Sequence, residues 1–145
     1  YQALVLMLLR ANVYTIESDE ILFERTSKLL PVIKELILNR KPVIQNSTLR
    51  SWKNEPEYWN IKCIYGDGFG GSPANAPFDK IIITAAVPEL PKKLLKQLKI
   101  GGKMVLPFGT EKNCTMLRIT KHDDEKFETE EFGMFAFVPM LKGKR

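Results

Sequence analysis

The chain has 145 residues, of which 44% are hydrophobic, 10% aromatic and 27% charged, the proportions of an ordinary globular protein. That length favours one domain, residues 1–145, and the composition excludes collagen-like, low-complexity and wholly disordered chains. Two cysteines and one histidine are too few for a disulfide scaffold or a structural zinc site, so no metal is expected; a formal net charge of +5 permits nucleic-acid contact without arguing for it.

Residues 2 to 10 read as a mostly buried helix, closed near Asn12, a residue that tolerates the left-handed conformation. Their apolar run is far short of the ~20 residues that cross a bilayer, and the basic region that opens a signal peptide is not seen. A cytoplasmic, membrane-free protein is the expectation. Val13-Tyr14-Thr15-Ile16 has the β-branched and aromatic content of a strand, and Asp19 stands ready to cap the next helix. Over 20–38, Ile21, Leu22, Leu29, Leu30, Val32, Ile33, Leu36 and Ile37 recur at helical spacing, with Pro31 expected to kink or divide the element. Between Asn39 and Asn60 the pattern is broken by Pro42, Asn46, Ser47, Asn54 and Pro56. This stretch reads as a loop insertion, tacked down by Trp52, Tyr58 and Trp59.

Ile61 to Tyr65 is a second short strand, closed by Gly66-Asp67-Gly68. Phe78 to Thr84 reads as a strand buried on both faces, because its isoleucines run without alternation. A helix over 88–98 follows, with Pro91 near its first turn, Leu94, Leu95 and Leu98 on one face and Lys92, Lys93 and Lys96 on the wet one. Gly101-Gly102 ends it before a strand at 103–107. Strands at 116–120 and 135–139, separated by the charged turn 122–126, complete the series. His122 in that turn reads as a solvated residue and Cys114 as an inert thiol. Strands alternating with helices, then strands alone, predict an α/β fold: a doubly wound, mostly parallel sheet with antiparallel pairing at its C-terminal end.

Three strand ends stand out, because ligands of open parallel sheets sit outside the carboxyl ends of the strands. Glu17 follows the first strand, Asp67 the second, and Thr84-Ala85-Ala86 the third. A carboxylate at the first position can accept both hydroxyls of a ribose. One at the next can accept from an adenine amino group, with glycine letting the base approach the backbone. Each acid taken alone is as well explained by a cap or a turn; in this order they point to a nucleoside-containing cofactor.

With Tyr1-Gln2-Ala3, VYTIE ending at Glu17 and YGDG at 65–68, the chain resembles the class I S-adenosylmethionine-dependent methyltransferases. The segment APFDKIIITAAVPELPKKLLKQLKIGGKMVLPFG, residues 76–109, and FVPMLKG, residues 137–143, narrow the resemblance to the protein-L-isoaspartate O-methyltransferase family. The resemblance covers nearly all of the chain except residues 39–60, and its specificity lies in the combination of motifs. It implies a Rossmann-like fold and S-adenosyl-L-methionine as cofactor. Glu17, with Ser18 adjacent, would hold the ribose, and Asp67 and Gly68 would hold the adenine. On the substrate side, Thr84, Ala85 and Ala86 would line the point where methyl donor and carboxylate meet, and Val87 and Pro88 would shape its wall.

In this family the first strand, the glycine-rich loop and a catalytic serine lie ahead of the position of Tyr1. The chain is therefore expected to be the C-terminal two-thirds of such an enzyme, its catalytic residue is unassigned, and the 145 residues alone are expected neither to bind cofactor tightly nor to turn over. The implied partners are isoaspartyl-containing proteins or peptides, with no membrane, no nucleic acid and a monomeric state. The competing readings are a methyltransferase of a small molecule or RNA, and a non-catalytic basic binding module.

Overall fold

The computed structural model describes residues 2–39 and 60–145, with no account of side chains at 37–39. Its contacts group into two compact units, Tyr1–Tyr65 with Lys144–Arg145, and Gly66–Gly143. The expectations placed on Trp52, Tyr58 and Trp59 lie outside the described residues.

The first unit holds α1 (Gln2–Leu8), β1 (Val13–Glu17), α2 (Glu20–Asn39) and β2 (Ile61–Tyr65). β1 and β2 pair in parallel, from Val13 against Ile61 to Glu17 against Tyr65. α1 ends in a Schellman motif: the Ala11 amide donates to the Leu6 carbonyl and that of Arg10 to Met7. The left-handed residue is Arg10, at φ 65°, and not Asn12. The cap falls where the helical ladder runs out of acceptors, whichever residue stands there. Of α1 only Met7 is buried, so the helix is less enclosed than its composition suggests.

Asp19 caps α2 as expected, its Oδ1 accepting from the Leu22 amide at 2.9 Å. The helix runs undivided through Pro31, which has no N–H to give to the helical ladder. Its half-buried positions include Phe23, Thr26, Ser27, Leu30 and Ile33, whereas Ile21, Leu22, Leu29, Val32 and Leu36 are exposed. α2 thus carries two apolar stripes, and the inward one is the more polar.

The second unit holds a short 3₁₀ turn (Pro73–Asn75), β3 (Phe78–Ile82), α3 (Lys92–Lys96), β4 (Leu98–Thr110), β5 (Asn113–Lys121) and β6 (Phe127–Phe135). The sheet order is β3-β4-β5-β6, parallel between β3 and β4 and antiparallel thereafter. Parallel pairs followed by an antiparallel ribbon agree with the predicted α/β class. Ile83, Val87, Leu94, Leu95, Leu98, Met104, Leu106, Leu117 and Ile119 form one buried cluster.

Three boundaries depart from the sequence reading. α3 is a single turn, because Pro91 becomes its N-cap residue and Leu98 already belongs to β4. β4 starts five residues early and accommodates Gly101, at φ 78°, through a jump in register opposite Phe78–Lys80. β3 alternates: Ile81 and Ile83 face the core and Ile82 is 41% exposed. The last strand lies at 127–135 instead of 135–139, since the hairpin turns at Asp123, whose Oδ1 accepts from the Glu125 and Lys126 amides, and pairing resumes at once. His122 sits in that turn as expected, 2.8 Å from Glu128 and exposed. Lys121 beside it is buried, its ammonium on Asp124 and the Leu98 carbonyl.

Candidate functional site

Glu17 ends β1, and its Oε1 accepts from the Asp19 amide at 3.0 Å. That bond folds the carboxylate back over the start of α2, and Oε2 has no hydrogen-bond partner among the described residues. Ser18 lies between the strand and the helix cap. Its carbonyl accepts from the Arg145 amide at 2.7 Å, while the Arg145 carbonyl accepts from the Glu20 amide at 2.8 Å and from the Tyr65 hydroxyl at 3.3 Å. The Lys144 ammonium stands 4.6 Å from the Tyr65 ring centroid. Residues 144–145 therefore pin the loop that presents Glu17, a contribution that nothing in the sequence pattern announced. Cys63, half-buried in β2, has its thiol pushed up by burial, partly offset by a hydrogen bond with Ser27 and reinforced by the Glu17 charge.

Asp67 and Gly68 open the second unit, two and three residues beyond Tyr65, the register partner of Glu17. Asp67 Oδ1 accepts from the Phe69 amide at 2.9 Å and its carbonyl accepts from Gly70 at 3.0 Å, an Asx turn in which Oδ2 has no hydrogen-bond partner among the described residues. A Cβ on Gly68 would lie 2.6 Å from Met140 Cε, so close packing also accounts for glycine at this position.

Thr84 is exposed, Ala85 half-buried, Ala86 and Val87 buried, and Pro88 exposed. The backbones of Ala86 and Val87 are committed: Ala86 to Val138 and Met140, Val87 to Pro107 and Gly109. Among the described residues no acceptor faces the amides of Thr84 or Ala85. Among the described residues of the first unit, a cavity of about 430 Å³ lies between α2 and β2, and one of about 300 Å³, lined by both helices and both strands, reaches Glu17.

The structure thus puts Glu17 at the last residue of a parallel strand and Asp67 and Thr84 each two residues past one, the first in one compact unit and the other two in the second. This architecture is shared with a crystal structure described as a protein-L-isoaspartate O-methyltransferase from Plasmodium falciparum in complex with S-adenosyl-L-homocysteine. It aligns with a TM-score of 0.65 at 19% identity, over 90% of this chain and 53% of that one. The fold is that of the class I methyltransferases. Within that class, the family model for protein-L-isoaspartate(D-aspartate) O-methyltransferase matches residues 26–145, and the chain belongs to that family. Proteins named protein-L-isoaspartate O-methyltransferase from Flavobacterium psychrophilum and Flavobacterium johnsoniae are 42% and 40% identical over 99% of the chain. The chain spans 56% of the length of each.

Proposed function

We propose that the protein of which this chain forms part transfers a methyl group from S-adenosyl-L-methionine to the free carboxylate of L-isoaspartyl residues in damaged proteins and peptides. The observation that carries the reading is the pair of acids at successive parallel strand ends, Glu17 and Asp67, each with one carboxylate oxygen tied to its own loop and the other without a hydrogen-bond partner among the described residues. That pair of acceptors fits a ribose diol and an exocyclic amine, both of which donate.

In this reading Glu17, steadied by Ser18, holds the ribose, and Asp67 with Gly68 holds the adenine. When bound, the cofactor supplies a methyl group already activated on a sulfonium. A carboxylate is already a nucleophile, so the chain has to align and desolvate it rather than move a proton. The amides of Thr84 and Ala85 orient the substrate carboxylate, and Ala86, Val87 and Pro88 wall the place where it sits. The absence of a His, Cys or Lys pair among Thr84 to Pro88 suits a reaction of this kind. The units on either side of Gly66 belong to one methyltransferase domain acting as a monomer in the cytoplasm, without a membrane or nucleic-acid partner; among the described residues no helix is long and apolar enough to cross a membrane.

The test is methylation by the full-length protein with labelled cofactor, comparing an isoaspartyl peptide with its aspartyl counterpart. Label on the isoaspartyl peptide alone is expected. Equal labelling of both, or of neither, overturns the proposal. Glu17→Ala and Asp67→Ala should each raise the cofactor Kd by about tenfold or more, the loss of one or two charge-assisted hydrogen bonds.

A further inference from the structure

We infer that Gln97 is a positioning residue for the adenine-side loop, an inference that rests on the cofactor reading above. Gln97 follows α3 where the chain turns into β4, and it is buried. Its main chain is fully engaged: the amide donates to the Leu94 carbonyl, and its carbonyl accepts from the Phe78 amide at 2.8 Å.

The side chain points at the loop that follows Asp67. Its Oε1 accepts from the Ser72 amide at 2.9 Å, and its Nε2 donates to the Gly70 carbonyl at 2.9 Å. One acceptor faces an N–H and one donor faces a C=O, so only an amide satisfies both contacts. The loop wraps closely around the group. Gly71 is left-handed at φ 66°, and a Cβ there would lie 2.5 Å from both Gln97 Oε1 and Leu94 Cδ2. Ser72 is itself buried, its hydroxyl accepting from Asn75 Nδ2 at 2.7 Å.

The bond passes on to Asp67 through Gly70. The Gly70 carbonyl is held by Gln97 and its amide by the Asp67 carbonyl. With Phe69 on Asp67 Oδ1, the turn from 67 to 70 is fixed at both ends, and the open Oδ2 has one direction to point. Gln97 touches no ligand in this arrangement. It acts by holding the carboxylate that does, as supporting hydrogen bonds hold the ligands of other binding sites.

The test uses the full-length protein and the variant Gln97→Glu, which keeps size and the Ser72 contact but sets a carboxylate oxygen against the Gly70 carbonyl. Affinity for S-adenosyl-L-homocysteine is measured by calorimetry, with the KM for cofactor and for an isoaspartyl peptide alongside. We expect the Kd and the cofactor KM to rise about tenfold, while kcat at saturating cofactor and the peptide KM stay within about twofold. If Gln97→Glu does not fold, Gln97→Met, uncharged and of similar volume, is read in the same way.

Unchanged Kd in a folded variant overturns the inference. So does an equal fall in kcat with the Kd intact, which would mark Gln97 as a general stabiliser. Failure of the wild-type protein to bind S-adenosyl-L-homocysteine overturns the cofactor reading, and this inference with it. Normal wild-type binding without isoaspartyl methylation overturns only the substrate assignment.

Discussion

The two compact units rest on different foundations. In the second, nine buried apolar residues from β3 to β5 form one cluster, and Met104, Leu106 and Val87 are wholly enclosed. In the first, the buried apolar residues among those described are Met7 and Val13. The second unit adds an antiparallel ribbon to its parallel β3-β4 pair, whereas the described strands of the first form a parallel pair alone. An antiparallel ribbon such as β4-β5-β6 is assembled from neighbouring hairpins and can leave one face wet, whereas a parallel pair such as β1-β2 is stable when both faces are covered. The second unit obeys the rule that apolar stripes are buried. In the first, α2 leaves Ile21 79% and Leu36 62% exposed, so apolar composition and burial part company there.

A matched pair of truncations gives the largest effect and tests the contrast directly. Met104→Ala and Met7→Ala remove the same side chain from sites 0% and 1% exposed. Such changes cost about 2–5 kcal/mol, and the cost grows with the cavity that the surroundings cannot collapse into. Met104→Ala should fall at the upper end and Met7→Ala at the lower, read by amide exchange in each unit under increasing denaturant. Equal costs would mean that the first unit is as tightly packed as the second.

Two glycines refine the comparison. Gly109, at φ 135°, would drive a Cβ into the Asn113 carbonyl, so Gly109→Ala combines strain with a backbone clash and should cost about 1–3 kcal/mol or more. Gly143, at φ 83°, has open space around the same position. Gly143→Ala should cost only the conformational preference, about 1 kcal/mol, and thermal melting of the two variants would separate the terms. At α2, Asp19→Ala removes a cap and should cost about 1 kcal/mol, visible as faster exchange of the Leu22 amide.

The smallest expected effect depends on pH. Hydrogen bonding to Arg118 holds the Glu130 carboxyl below its ordinary range, with the guanidinium charge adding to it. A carboxyl depressed in the folded state contributes stability above the ordinary carboxylate range and loses it as pH falls through the depressed value. Arg118→Met should flatten that part of the acid titration of β5-β6 stability. The two side chains are 37% and 39% exposed, open enough to solvent for the change to be small.

Local signals carried the sequence reading far. β1 and β2 stood out through β-branched and aromatic residues, the α2 cap through Asp19, and the strand-end acids through their order. Three features escaped it for physical reasons. β6 reads FETEEFGMF, an exposed edge strand without clean alternation, and its pairing is set by the hairpin turn rather than by a stripe of its own. The inward face of α2 combines Leu30 and Ile33 with Thr26 and Ser27, so the helical period found the helix without singling out the face it buries. Both supports of the predicted site act over long separations: Gln97 reaches back to Gly70, and Arg145 to Ser18. Neither separation has a local pattern. The roles given to Glu17, Ser18, Asp67, Gly68 and Thr84 to Pro88 rest on their placement at strand ends and on the family's chemistry.

The two thiols are distributed one to each unit, Cys63 half-buried in β2 and Cys114 buried in β5 with its Sγ on the Thr110 carbonyl. Each is therefore a native clock for the unit that contains it. A thiol-reactive dye reaches Cys63 through modest fraying of the parallel pair, and reaches Cys114 only when the antiparallel ribbon parts. The two labelling rates, resolved by mass spectrometry of the same sample, would time the loosening of the two units without the introduction of a probe.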